Sequence, residues 1–453
     1  MIGVEPGQER ERSEKAWLIR NSALAGGLLL AGRAFSAVRE MGVAYAFGVC
    51  AELDFYVMAF MGVTVMQMPL AGAMQVSLTP QFVRLFEKEG ADKARELFQQ
   101  VMIRFIAVLA GIVLLSALAS GLILPCFSSF CSVGWRDLIL PLFAVLAPAS
   151  LSAGVATVGA GILNGRGDFL RPGCAAALNP LIGLGVLLAF YRNWGIYALS
   201  WAVLAGSVVE LGVILGTLWR TGLFGGIRWM PLSAEARSVW RQFFFAVGSG
   251  LIMAQTAVVD QTMAALLGPG NVSSLSYGGR LPSVVLSVLM GGVSSVLLPY
   301  FARIATRDEI APRRMLEWVC RRMFLLAAIL SAAMILLSEP LTRLLYGRGR
   351  FLPADVATVS DITACLALQI PFYMVSVTGI RYLSAKGLNQ WMLGISAVNL
   401  TINIAGDYLL MRWFGVAGIA LNTAIVYLCA SIMVWGVVFC LNSGMNEKRM
   451  ENE

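Results

Sequence analysis

The chain has 453 residues, 58% hydrophobic and only 13% charged, with 34 Lys+Arg against 26 Asp+Glu and no histidine. Soluble domains run about 25% charged, so this composition excludes a soluble enzyme, a disordered chain and a disulfide scaffold, and points to a bilayer as solvent. Without histidine, Ser-His-Asp and Cys-His catalysis and imidazole metal sites are excluded as well.

In chain order, residues 1–21 mix Glu9, Glu11 and Glu14 with Arg10, Arg12 and Lys15, which does not read as a cleavable signal peptide. Twelve apolar stretches long enough to span follow, near 22–49, 54–83, 101–127, 138–162, 172–191, 195–219, 242–268, 275–302, 323–338, 356–380, 391–411 and 414–440. Placing both termini on one side puts 25 of the 34 basic residues there and 6 in the opposite loops. The positive-inside rule makes the richer side cytoplasmic, so the net charge of +8 reports topology and a nucleic-acid role is not expected. The segment 84–104 reads as an amphipathic cytoplasmic helix. Cys126 and Cys131 share an external loop and either pair or, the reading preferred for all eight cysteines, stay free.

A repeat with an offset near 220 organises the chain. Gly72 to Arg84, including Pro80 and Phe82, aligns with Gly291 to Arg303, including Pro299 and Phe301. Leu163, Arg166, Gly167, Asn179 and Gly195 likewise align with Leu383, Lys386, Gly387, Asn399 and Gly415. Six spans per half give both halves one orientation, so the expected fold is an all-α polytopic membrane protein. It would have about twelve transmembrane helices in two parallel-repeat six-helix bundles around a central cavity. The domain plan is a cytoplasmic N-terminal segment (1–21), an N-terminal bundle (22–219), a cytoplasmic connector (220–241, with Arg228), a C-terminal bundle (242–440) and a cytoplasmic tail (441–453). Such a duplication around a cleft makes transport the leading function class.

Ionisable groups in hydrocarbon cost about 2.5–3.5 kcal/mol each on insertion scales, so those that persist mark function. Span one carries Arg33, Arg39 and Glu40, with Arg33 and Glu40 seven residues apart on one face. Arg280 lies in span eight. Three guanidinium groups suit an anion with more than one negative charge, such as a pyrophosphate, because each binds phosphate oxygens bidentately. A second group is acidic and amide. Asn403 and Asp407 are four apart on span eleven, Thr423 is on span twelve, and Asp260 on span seven is the repeat counterpart of Glu40. Oxygen ligands alone suit Na⁺ or a proton. Glu210 in span six is a further buried acid without an assigned role. No GxxxxGK[ST] motif occurs, so no ATP is used and no cofactor is required; coupling to Na⁺ or protons is the expected energy source.

Gly32-Arg33-Ala-Phe-Ser-Ala-Val-Arg39-Glu40, then Ala46-Phe47-Gly48 and Leu53-Asp54-Phe55-Tyr56, resembles the opening of the MurJ/MviN lipid II flippases. These belong to the multidrug/oligosaccharidyl-lipid/polysaccharide exporter superfamily. Tyr277-Gly-Gly-Arg280-Leu and the stretch from Leu383 to Thr423 resemble later motifs of that family. The resemblance implies a flippase, not an enzyme, that moves an undecaprenyl-pyrophosphate-linked precursor from the cytoplasmic to the periplasmic leaflet of a bacterial inner membrane, alongside cell-wall synthesis proteins. It also implies that Arg33, Arg39 and Arg280 hold the pyrophosphate, that Glu40, Asp54 and Gln67 lie in the substrate cavity, and that Asp260, Asn403, Asp407 and Thr423 bind Na⁺. The chain departs from the family in four places. Val63, Thr64, Gln67 and Met68 stand where a Pro-Asn-x-x-Arg-Arg stretch is usual, Gly279 stands where an acid is expected, Glu40 replaces the more usual aspartate, and the chain ends after span twelve, where typical members continue with two more helices. An exopolysaccharide or O-antigen repeat-unit flippase therefore stays as the alternative substrate reading. A drug/cation antiporter is the alternative from another class, though its acid-dominated cavity would conflict with the arginines of span one.

Overall fold

A computed structural model describes residues 6–123, 135–223, 229–306, 313–385 and 389–450. Arg228, Cys126, Cys131, Lys386 and Gly387 lie outside these. Among the described residues every regular element is a helix: α1 (Pro6–Phe47), α2 (Ala51–Glu89), α3 (Ala91–Ile123), α4 (Trp135–Gly165), α5 (Leu170–Trp194), α6 (Tyr197–Arg220), α7 (Ala234–Leu266), α8 (Asn271–Thr306), α9 (Arg313–Leu336), α10 (Ser338–Tyr346), α11 (Pro353–Ala367), α12 (Gln369–Ala385) and α13 (Asn389–Met450). A chain in hydrocarbon must satisfy its backbone internally, and a helix does so segment by segment.

Among the described residues, eight segments are long and apolar enough to cross a membrane. The longest, Gly394–Cys440, rises about 70 Å, more than twice the roughly 30 Å hydrocarbon core. Its helical path is interrupted at Gly415, where φ is 57° and ψ −139°. Large apolar side chains in these segments stay uncovered by protein, Leu336 at 80% and Leu114 at 62%, which only lipid can solvate.

Two breaks have local causes. Pro371 cannot donate a backbone hydrogen bond to the carbonyl of Ala367 four residues earlier, and the α11–α12 junction falls there. The Ser331 hydroxyl from α9 donates to that same Ala367 oxygen at 2.7 Å, so the freed acceptor is satisfied inside the membrane. The expected amphipathic helix at 84–104 is instead the end of α2 and the start of α3, separated by Gly90 at a φ of 91°. Its apolar face, Ala94, Leu97 and Phe98, is buried.

The chain forms two compact units, one of residues 1–46 and 58–254, the other of 47–57 and 255–453. In the first, α6 packs on both α5 and α4. Small residues set the spacing: a Cβ on Gly159 of α4 would stand 2.6 Å from Ile214 of α6, and one on Gly32 of α1 would stand 3.6 Å from Ala177 of α5. At one end of this unit, Gln100 Oε1 accepts from the Ser233 backbone N–H at 3.0 Å, and Arg104 donates to the Met230 carbonyl at 2.6 Å. These bonds hold the residues before α7 against α3. In the second unit, α12 packs on α13, α9 and α8 around Ile370, Met374, Val434 and Trp435.

Candidate functional site

The first unit holds Arg33, Arg39, Glu40 and Gln67 of the expected substrate residues; Asp54 and Arg280 belong to the second. Arg33 is exposed on α1, where a cation in a span is reachable by a ligand. Arg39 is half-buried, and its Nη2 donates to the carboxylate of its neighbour Glu40 at 3.2 Å. Its stem lies against α5, where a Cβ on Gly183 would stand 3.5 Å from Arg39 Cδ. Its Nε is buried without a hydrogen-bond partner, so one edge of the guanidinium still has a donor to give. Gln67 is 5% exposed and packs between α2 and α4, its Nε2 3.3 Å from where a Gly154 Cβ would be. Arg280 is exposed on α8, one turn past Tyr277.

Asp54 is buried, and both its oxygens are taken. Oδ1 accepts from the Ser273 backbone N–H at 2.7 Å and Oδ2 from the Gly270 N–H at 2.5 Å. A carboxylate at a helix N-terminus satisfies orphan donors and faces the positive end of the dipole. In this structure Asp54 is the cap of α8.

The second unit brings together the four residues expected to bind Na⁺. Asn403 Nδ2 donates to Asp260 Oδ1 at 2.9 Å, and the Asp407 carboxyl and Thr423 hydroxyl are within hydrogen-bonding reach of Asp260. Asn403 and Asp407 are fully buried. Sequence reasoning missed Asn422, whose Nδ2 donates to Asp407 Oδ1 at 2.8 Å and to the Asn403 carbonyl at 3.0 Å. Its neighbour Thr423 stands out in the sequence as a hydroxyl ligand, but nothing in the spacing shows that the amide beside it reaches back across Gly406 to the same cluster. That approach needs the glycine, since a Cβ on Gly406 would collide with the Asn422 amide.

Two oxygens of this cluster, Asn403 Oδ1 and Asp407 Oδ2, are buried without a hydrogen-bond partner. Uncommitted amide and carboxylate oxygens beside a second carboxylate and a hydroxyl are the donor set of a hard monovalent cation, so the residues present fit Na⁺. Among the described residues no group of three or more His, Cys, Asp or Glu side chains could hold a metal ion. The cluster is therefore mixed carboxylate, amide and hydroxyl in character.

Glu210 is bonded to Asn179 Nδ2 through Oε2 at 2.6 Å, between α6 and α5.

The family model "Lipid II flippase MurJ" matches residues 43–440. A protein described as a probable lipid II flippase MurJ from Rhizobium meliloti is 27% identical over 424 residues, covering 89% of this chain and 77% of that one. The lipid II flippase MurJ of Burkholderia cenocepacia is 26% identical over 448 residues, 94% of this chain and 82% of that one. Among solved structures, a lipid II flippase MurJ in an inward closed conformation aligns with a TM-score of 0.77 at 20% identity, over 92% of this chain and 87% of that one. An inward-facing multidrug resistance MATE family transporter of the MOP superfamily aligns at 0.76 and 16% identity, over 91% of this chain and 95% of that one. The two structures share the fold, and the sequence match separates the families: the chain belongs to the MurJ lipid II flippase family of multi-pass membrane transporters.

Proposed function

We propose that this protein moves lipid II from the cytoplasmic to the periplasmic leaflet of the bacterial inner membrane by alternating access. The observation that carries the reading is the family match across residues 43–440, nearly all of the membrane-embedded chain. The relatives named above are lipid II flippases, so the O-antigen and drug-antiport alternatives are not carried further. Both termini on the cytoplasmic side is the orientation the basic residues support.

In this reading the pyrophosphate is gripped from α1. Arg33 is exposed, and Arg39 offers its unsatisfied Nε edge while Glu40 steadies its other edge. Guanidinium groups suit the task because they keep their charge and match phosphate geometry. Asp54 acts at one remove, holding the start of α2 to α8. Asp260, Asn403, Asp407 and Thr423 would hold Na⁺, with Asn422 fixing the two α13 segments around it. A bound Na⁺ would supply the charge that lets two neighbouring carboxylates stay ionised away from water.

The test is replacement. Made the sole flippase of a cell depleted of its own, the chain should restore growth and the appearance of lipid II on the outer leaflet. Lipid II that stays on the inner leaflet while the chain is inserted and folded would overturn the reading.

A further inference from the structure

Glu210 is used by neither the arginines of α1 nor the oxygen cluster of the second unit, yet it lies in the middle of a span. It stands 13 residues from Tyr197 and ten from Arg220, about 20 Å and 15 Å along the helix, near the centre of a core about 30 Å thick. Among the described residues, no cation is paired with it. Of the two helices packed on α6, α4 has no Asp, Glu, Lys or Arg between 138 and 165, and α5 has none between 172 and 190. The other titratable groups of α5 lie towards its two ends: Arg171, paired with Asp168, and Cys174 at one, Tyr191 and Arg192, bonded to each other, at the other. On the length of α1 that follows α5, the ionisable residues are Arg33, Arg39, Glu40 and Tyr45. Arg39 pairs with Glu40 through Nη2, and its stem rests at Gly183, one turn along α5 from Asn179.

Asn179 is a fixed donor. Gly206, one turn before Glu210, lies so close that a Cβ there would stand 2.6 Å from the Asn179 carbonyl oxygen and 2.7 Å from its Oδ1. With its oxygens against the α6 backbone, the amide Nδ2 is left aimed at Glu210, 2.6 Å away. One amide donor does not offset the desolvation of a carboxylate without a counter-ion, and one carboxyl with one amide is too few oxygens for Na⁺. A single proton removes the charge and leaves the Asn179 bond intact. Glu210 is half-buried, so its carboxyl is not sealed inside the protein. A glutamine would make the same hydrogen bond without any charge to lose, so the acid is needed only if the proton comes and goes.

We propose that Glu210 and Asn179 form a proton-binding site of the first unit, separate from the Na⁺ cluster of the second. The carboxylate takes one proton from water and returns it to water, and nothing else changes hands.

The test is a pH titration of the full chain in lipid nanodiscs, read by infrared difference spectroscopy. The protonated-carboxyl band should grow on acidification. Part of it should vanish in Glu210→Gln, persist in Asp260→Asn and shift in frequency in Asn179→Ala. A band unchanged in a folded Glu210→Gln, or one that Asn179→Ala leaves in place, would overturn the proposal. Should Glu210→Gln not fold, the Asn179→Ala shift decides alone. In a second arm, resting on the lipid II reading, flipping of labelled lipid II in proteoliposomes should respond to an imposed pH gradient in the parent and lose that response in Glu210→Gln. A parent that flips no lipid II counts against the transport reading and leaves the infrared result standing.

Discussion

Asp54 closes a helix that begins more than two hundred residues later, its carboxylate bonded to the backbone N–H of Ser273 at 2.7 Å. A second bond to Gly270, which adopts a φ of 88° at the head of α8, leaves neither oxygen free. The side chain therefore links the first turn of α2 to the first turn of α8 within the second unit.

Asp54→Ala leaves the buried Ser273 N–H without an acceptor, at a cost of about 1–3 kcal/mol, and frees the part-buried Gly270 N–H as well. Thermal unfolding of the purified variant in detergent should fall by several degrees. Asp54→Asn, which retains one acceptor, should fall by less. An alanine variant as stable as the parent would remove the capping role.

Residues 47–57 are also held by backbone fit. Gly48 has a φ of 63°, and a Cβ there would stand 2.5 Å from the Arg350 carbonyl oxygen. Gly268, its counterpart 220 residues on, has a φ of 105° and no neighbour within 4 Å of its Cβ position. Both alanine variants incur the left-handed penalty of about 1–2 kcal/mol, but only Gly48→Ala adds a clash with backbone. Parallel melts should show Gly48→Ala clearly the less stable of the two; equal losses would show that Arg350 gives way.

The Na⁺ reading predicts a graded response. Na⁺ that binds only the folded protein raises its melting temperature, by about 2.7 kcal/mol of stabilisation at a hundred times Kd. Asp260→Asn and Asp407→Asn each remove a charge and should abolish the shift seen with Na⁺ but not K⁺. Asn422→Ala keeps every expected ligand yet frees Asp407 Oδ1, and should weaken Na⁺ at least tenfold. Full retention of the shift in Asn422→Ala would show that its two hydrogen bonds do not organise the cluster.

Much of this architecture was legible in the sequence. The repeat aligned Gly195 with Gly415, and the structure gives them nearly the same backbone, φ 54° and ψ −135° against φ 57° and ψ −139°. That pairing survives because each ends one helix and starts the next, where only glycine turns cheaply. Asp260, Asn403, Asp407 and Thr423 were legible because oxygen-bearing side chains inside apolar spans are conspicuous. Asn422 was not, since its role depends on how the chain turns at Gly415. Asp54 entered only through the family resemblance, as a cavity residue, and was not legible as a cap, because its partners are backbone groups that carry no residue signature. The junction at Leu368 was hidden for a related reason: Pro371 marks the break, but Ser331, which makes it tolerable, comes from another helix.

The most direct probe of the pyrophosphate reading is the edge of Arg39. Its Nη2 is held by Glu40 at 3.2 Å, and its buried Nε has no partner, a donor whose desolvation is offset only when an oxygen arrives. Arg39→Lys keeps the positive charge but loses the planar fork that presents Nε and a terminal nitrogen together. If a phosphate oxygen fills that position, Arg39→Lys should weaken binding of lipid II at least tenfold, about 1.4 kcal/mol, and Arg39→Ala should weaken it further. Glu40→Gln releases the guanidinium from its ion pair without removing a phosphate donor, so binding should hold or tighten. The measurement is titration of lipid II into the purified protein, with undecaprenol as the uncharged control. Binding by Arg39→Lys equal to the parent would place the pyrophosphate elsewhere.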